Sequence, residues 1–192
     1  TIWGGEFLVA DYFGFKRLAH FEYVPLPGGK SAIEKPYRMA LSYLFKVFGG
    51  KAFEIDLPFI RNSNREEMEL IRRQIEHKIN APFVSSCGRL FDAVSALLGI
   101  RKETDYEGQA AVELEAVADT NVHISYPFEI REGEGVRAVS FDETIRAIVE
   151  DIVHAVPSSK ISGRFHATIA EVILTVCRIL VKENNINRIA LS

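Results

Sequence analysis

A chain of 192 residues, 47% hydrophobic and 26% charged, can bury one substantial core or two small ones. A formal charge of -3 with dispersed basic residues gives no electrostatic ground for binding nucleic acid or anionic lipid. Two cysteines exclude a disulfide framework and fit a reducing, cytoplasmic compartment, and no apolar run reaches the roughly 18 residues of a membrane span.

Residues 6–24 read as a strand pair, with Phe7, Val9, Leu18, Ala19, Phe21 and Tyr23 as β-formers and Gly14 at the turn. Pro25-Leu26-Pro27-Gly28-Gly29 then stops any ladder. From Pro36 the spacing of Met39, Ala40, Tyr43, Leu44 and Val47 predicts a helix that Gly49-Gly50 ends. Residues 64–79 predict a surface helix, capped by Asn64, with Met68, Ile71 and Ile75 inward. A further helix runs from a cap at Ser85 or Ser86 to Gly99, with Leu90, Phe91, Val94, Leu97 and Leu98 on one face. Another follows over Tyr106 to Ala118.

Beyond these, Val122, Ile124, Tyr126, Phe128 and Ile130 alternate before the loop Glu132-Gly133-Glu134-Gly135, so residues 122–139 predict a hairpin. Ser140 and Glu143 spell an S-x-x-E capping box for a helix that Pro157 terminates. A long helix from about Arg164 to Lys182 is apolar nearly all round and is therefore buried. Arg188-Ile189-Ala190-Leu191 starts a last strand, residues 188–192. The strand pair 6–24, the helical region 36–118, the hairpin 122–139, the helices 140–182 and that strand make one α-rich α/β domain over residues 1–192, cut short at its ends.

Few residues carry chemistry on local pattern alone. None of the five histidines pairs with another at helical spacing, so no metal site is written here, and His166 reads as a core or helix-terminal histidine. Gly4-Gly5 and Gly28-Gly29 read as turns before they read as phosphate loops. Cys87 sits at a helix start, which lowers a thiol pKa, but no histidine lies near it in sequence, and a structural cysteine is the favoured reading. Asp92 stands roughly 160° from the centre of its helix's apolar stripe at about 100° per residue, which points it away from the core as an exposed acid.

The stretch Ser85-Ser86-Cys87-Gly88-Arg89-Leu90-Phe91-Asp92-Ala93-Val94, followed by Tyr106-Glu107-Gly108-Gln109-Ala110-Ala111, resembles the nucleotide-facing segment of the hydrogenase-maturation carbamoyltransferases, the HypF family. Further landmarks stand in the family's order. They are Trp3 to Phe7, Arg17-Leu18-Ala19-His20, Pro25 to Gly29, Pro36 to Ala40, Phe165 to Ala170, and Ala190-Leu191-Ser192. The resemblance implies an actin-like (ASKHA) fold that holds ATP between two halves, shared with tRNA threonylcarbamoyl transferases. It further implies transfer of a carbamoyl group from carbamoyl-adenylate to a cysteine thiol of a partner maturation protein, toward the cyanide ligand of a nickel–iron centre.

In those relatives an Asp after Phe and a later glycine face the ribose, which here fall on Asp92 and Gly108, with Gly88 and Glu107 beside them. Gly4, Gly5 and Ser192 would neighbour a phosphate loop. The resemblance places the family's metal-binding histidines upstream of Trp3 and its Gly-Gly loop after Ser192, so the metal would be held outside this chain and no catalytic residue is assigned within it. Lys30 and the Glu34-Lys35 order depart from the family's usual pattern. An O-carbamoyltransferase of the same fold, or a non-catalytic module that docks the partner, remain the alternatives.

Overall fold

In a computed structural model, which describes residues 2–133 and 135–191, β1 (Glu6–Ala10) and β2 (Phe15–Phe21) form an antiparallel hairpin. Asp11 closes it, its Oδ1 accepting from the amides of Phe13 and Gly14. A bulge between Phe7 and Leu8 shifts the register. β2 then pairs in parallel with β6 (Arg137–Ser140), which pairs antiparallel with β5 (Glu129–Arg131), so the sheet order is β1-β2-β6-β5. A parallel pair needs a crossover, and the whole helical region supplies it. Within that crossover β3 (Val24–Pro25) and β4 (Phe83–Val84) make a separate two-stranded piece.

The helices are α1 (Lys30–Glu34), α2 (Tyr37–Phe48), α3 (Pro58–Arg61), α4 (Arg65–Glu76), α5 (Cys87–Leu97), α6 (Gln109–Ala116), α7 (Asp142–Val153) and α8 (Ser158–Asn184). Met39, Ala40, Leu41 and Leu44 are sealed from solvent because α2 packs against α4, α5 and α7. α5 is covered on one side by α2 and on another by α6, and the ring of Phe91 meets that of Phe165 on α8 edge-on at 4.9 Å. Phe21 and Phe141 close the sheet side of the core at 4.7 Å. One continuous apolar cluster results, running from Leu18 to Leu180.

Several boundaries differ from the sequence reading for identifiable reasons. The cap at Asn64 forms, its side chain accepting from Glu66 and Glu67. The capping box at Ser140 does not form: Ser140 stays buried in β6 and Phe141 occupies the cap position, with the Ser140 hydroxyl 3.4 Å from the Asp142 amide. Residues 122–128 are irregular rather than a strand, because the Tyr126 amide donates to Thr168 Oγ1 of α8 at 2.8 Å instead of to a neighbouring strand. α8 starts at Ser158, right after Pro157, rather than near Arg164. The last strand is also corrected: α8 ends on Asn185 in the left-handed conformation, and residues 186–191 are irregular, pairing with no strand among the described residues. Ser192 lies outside the described residues.

Candidate functional site

The site begins with how α5 is held. Its apolar stripe, including Leu90, Val94 and Leu97, joins the main core, as the spacing predicts. The opposite face carries Gly88, Asp92, Ser95 and Ala96, and it is not exposed. Asp92 is only 3% accessible and Ser95 fully buried, which corrects the expectation of a solvent-facing acid. Gly88, at the start of this face, is half-buried, and only Ser86 Oγ lies within 4 Å of where its Cβ would stand.

Asp92 is paired. The Arg89 guanidinium, one turn earlier on the same helix and 6% accessible, brings Nε to 2.7 Å from Asp92 Oδ2. The contact is an ion pair by distance, yet the N–H does not point along it. Arg89 Nε, Asp92 Oδ2 and Ser95 Oγ therefore have no aligned hydrogen-bond partner among the described residues. Burial pushes the Asp92 carboxyl up to about 6, and Arg89 acts against that rise. Sequence reasoning singled out Gly88 and Asp92 but missed Arg89. The i,i+3 spacing of opposite charges was the available signal.

Gly108 is built by a different device. It precedes α6 with φ of 83°, in the left-handed region that glycine enters without strain, and nothing lies within 4 Å of where a Cβ would sit. The loop before it is braced from below. The Asp105 amide donates to Gln109 Oε1 at 2.7 Å, Gln109 Nε2 donates to Glu113 Oε1 at 3.0 Å, and Arg101 pairs with the same carboxylate. Glu107 is exposed beside Gly108. α5, which carries Gly88 and Asp92, packs on α6, and Glu107 and Gly108 stand in the loop immediately before α6.

Gly4 and Gly5 lie on a second feature, a cavity of about 570 Å3 between β1, α8 and the C-terminal residues Arg188 to Leu191. Gly5 owes its identity to packing, since a Cβ there would fall 2.5 Å from the Phe21 ring and 2.7 Å from the Ser85 carbonyl oxygen. Cys87 also lines this cavity, but burial pushes its thiol up to about 11, the reverse of an activated thiol. His166 turns Nδ1 to the Ser162 carbonyl at 2.8 Å and sets its ring near Phe91. Among the described residues no three His, Cys, Asp or Glu side chains group to hold a metal ion, so no step is derived through one. Neither the cavity beside β1 nor the one beside His123 and His166 is lined by Gly88, Asp92, Glu107 or Gly108. No helix is long and apolar enough to cross a membrane, among the described residues.

The whole chain, residues 1–192, matches the family profile described as the carbamoyltransferase, Kae1-like domain, second subdomain. Carbamoyltransferase HypF of Synechocystis sp. is 31% identical over 204 residues, covering 100% of this chain and 26% of that protein. The probable carbamoyltransferase HypF of Methanocaldococcus jannaschii is 42% identical over 62% of this chain and 15% of its own length. A full-length HypF crystallised in its phosphate- and nucleotide-bound form superposes with a TM-score of 0.87 at 40% identity, over 96% of this chain and 28% of that one. The HypF of T. kodakarensis superposes at 0.76 with 28% identity, over 96% of this chain and 24% of its own. The chain thus spans about a quarter of the length of these relatives where it is matched in full, by the 26% and 28% coverages.

Proposed function

The chain belongs to the HypF carbamoyltransferase family as the second subdomain of its Kae1-like domain, a helix-rich α/β piece of an ASKHA fold, and on that premise we propose that it forms one wall of the nucleotide cleft in an enzyme of hydrogenase maturation. That enzyme moves a carbamoyl group to the cysteine thiol of a partner maturation protein in the cytoplasm: a bound carbamoyl-adenylate supplies the activated acyl group, the thiol gives up its proton, and AMP leaves as the new S–C bond forms.

This chain's residues bind and orient. Asp92 accepts hydrogen bonds from the ribose hydroxyls, because an ionised carboxylate offers only acceptors. Gly108, open on the side where a Cβ would stand, lets the α6 backbone approach the nucleoside, with Glu107 at its rim and Gly88 giving clearance on α5. Gly4, exposed on the lining of the cavity beside β1 with Gly5 packed behind it, faces the phosphates. The metal and the remaining cleft walls come from the rest of the protein, and the nucleophile comes from the partner. A thiol held above its ordinary pKa, as Cys87 is, suits packing and not attack.

The observation that carries this reading is the buried, incompletely satisfied Asp92 carboxylate on the enclosed face of α5. Its test is calorimetry of ATP binding to the full-length protein with Asp92→Ala. Losing charge-assisted hydrogen bonds worth about 1.5–3 kcal/mol predicts roughly ten- to hundredfold weaker binding. Unchanged affinity would remove Asp92 from the site.

A further inference from the structure

The Arg89 side chain has no role in the reading above, yet it is the feature of the site with the most specific geometry. It lies on the same helix as Asp92, one turn earlier, so α5 itself fixes the spacing of the two groups. Both are more than nine-tenths buried, and Nε stands 2.7 Å from Oδ2. The pair is misaligned for a hydrogen bond, so charge attraction and not a directed bond holds the guanidinium against Oδ2, which is itself sealed from solvent. A carboxylate enclosed this way without a cation takes up a proton. Arginine suits the task because it stays charged when desolvated, whereas a buried lysine neutralises readily.

Other charges do not supply the counter-ion. Among the described residues, Arg89 is the one charged side chain that bears on Asp92. On α2, Tyr37 donates to Glu67, Lys46 pairs with Glu22 and Asp142, and Tyr43 is sealed and neutral. On α6, Glu113 pairs with Arg101, and on α8, His166 is turned to Ser162.

We infer that Arg89 is a positioning residue for the nucleotide site: its sealed guanidinium, held against Oδ2, keeps the Asp92 carboxylate charged and oriented for a ribose hydroxyl. The inference rests on the assignment of Asp92 to that site. It assigns Arg89 no contact with the nucleotide and makes its effect act through Asp92 alone.

Calorimetry with ADP on the full-length protein, from pH 6 to pH 9, tests this. The variants are Arg89→Met, Arg89→Lys, Asp92→Asn and the double variant Arg89→Met/Asp92→Asn, each referred to wild type at the same pH so that titration of the ADP phosphate cancels. Arg89→Met is expected to weaken binding about tenfold at pH 7, the equivalent of 1.4 kcal/mol, and to recover toward wild type at pH 9, where Asp92 ionises unaided. The double variant is expected to bind no more weakly than Asp92→Asn. A loss from Arg89→Met that is equal at every pH, or that adds fully to the Asp92→Asn loss, overturns the inference and leaves Arg89 a packing residue. Should Arg89→Met lose its cooperative thermal transition, Arg89→Lys carries the test: a loss at pH 7 that recovers at pH 9 supports the inference, and one that does not recover overturns it. If Asp92→Asn binds ADP like wild type, the site assignment itself has failed, whatever the arginine variants do.

Discussion

Asp92 shows how a single helix can mislead at the residue scale. Its angular position, opposite the apolar stripe, is legible in the sequence, and the structure keeps it there. What the wheel cannot register is that α6 and the chain around it cover that face as well, because burial of a polar face depends on distant segments. The small neighbours Gly88, Ser95 and Ala96 hinted at close packing, and Arg89 at i-3 hinted at a counter-charge. A like case is Gly163, in the first turns of α8. A Cβ there would lie 2.5 Å from the Asp119 carbonyl oxygen and 3.1 Å from Val122 Cβ. Alanine normally gains about 1 kcal/mol over glycine inside a helix. Here the clash is with backbone, which cannot swing aside, and overpacking costs of about 1–3 kcal/mol should win. Gly163→Ala is therefore expected to lower the urea unfolding midpoint, and a raised midpoint would show that the loop at Asp119 yields.

Elements were legible where local spacing decides them. The helices α2, α4, α5 and α7 follow apolar stripes visible in the sequence, and Asn64 caps α4 by its own side chain. Segments decided by tertiary partners were not. The alternation over 122–130 looks like a strand, but Tyr126 spends its amide on Thr168 Oγ1, which in turn donates to the Arg164 carbonyl at 2.7 Å. The Tyr126 hydroxyl also donates to Asp151 Oδ2 at 2.6 Å, and Arg164 reaches the same oxygen at 2.7 Å. This segment is tied to α7 and α8 by side chains instead of a ladder. Thr168→Val keeps the shape and removes the acceptor, leaving a buried amide unsatisfied at a cost of about 1–3 kcal/mol. The measurement is again the denaturation midpoint, and an unchanged value would mean that the segment is held mainly by the apolar contacts of Tyr126.

For the whole molecule, one core unites the sheet, α2, α5 and α8, so the two halves of the proposed nucleotide wall are fixed to one another. The α-rich α/β class followed from the order of elements, and the family, with its ASKHA fold, from the landmarks between Trp3 and Ser192. The interior charge pair did not, since no local pattern announces which polar residues a domain will enclose. The arrangement places a charged pair where burial disfavours it, a cost that function at the site would explain. The most direct test is a crystal structure of the full-length protein with ADP bound. The account predicts an Asp92 carboxylate oxygen within about 3.2 Å of a ribose hydroxyl, with Arg89 still against it and the nucleoside over Gly108. A nucleotide seated away from α5, with Asp92 still enclosed as it is here, would contradict it.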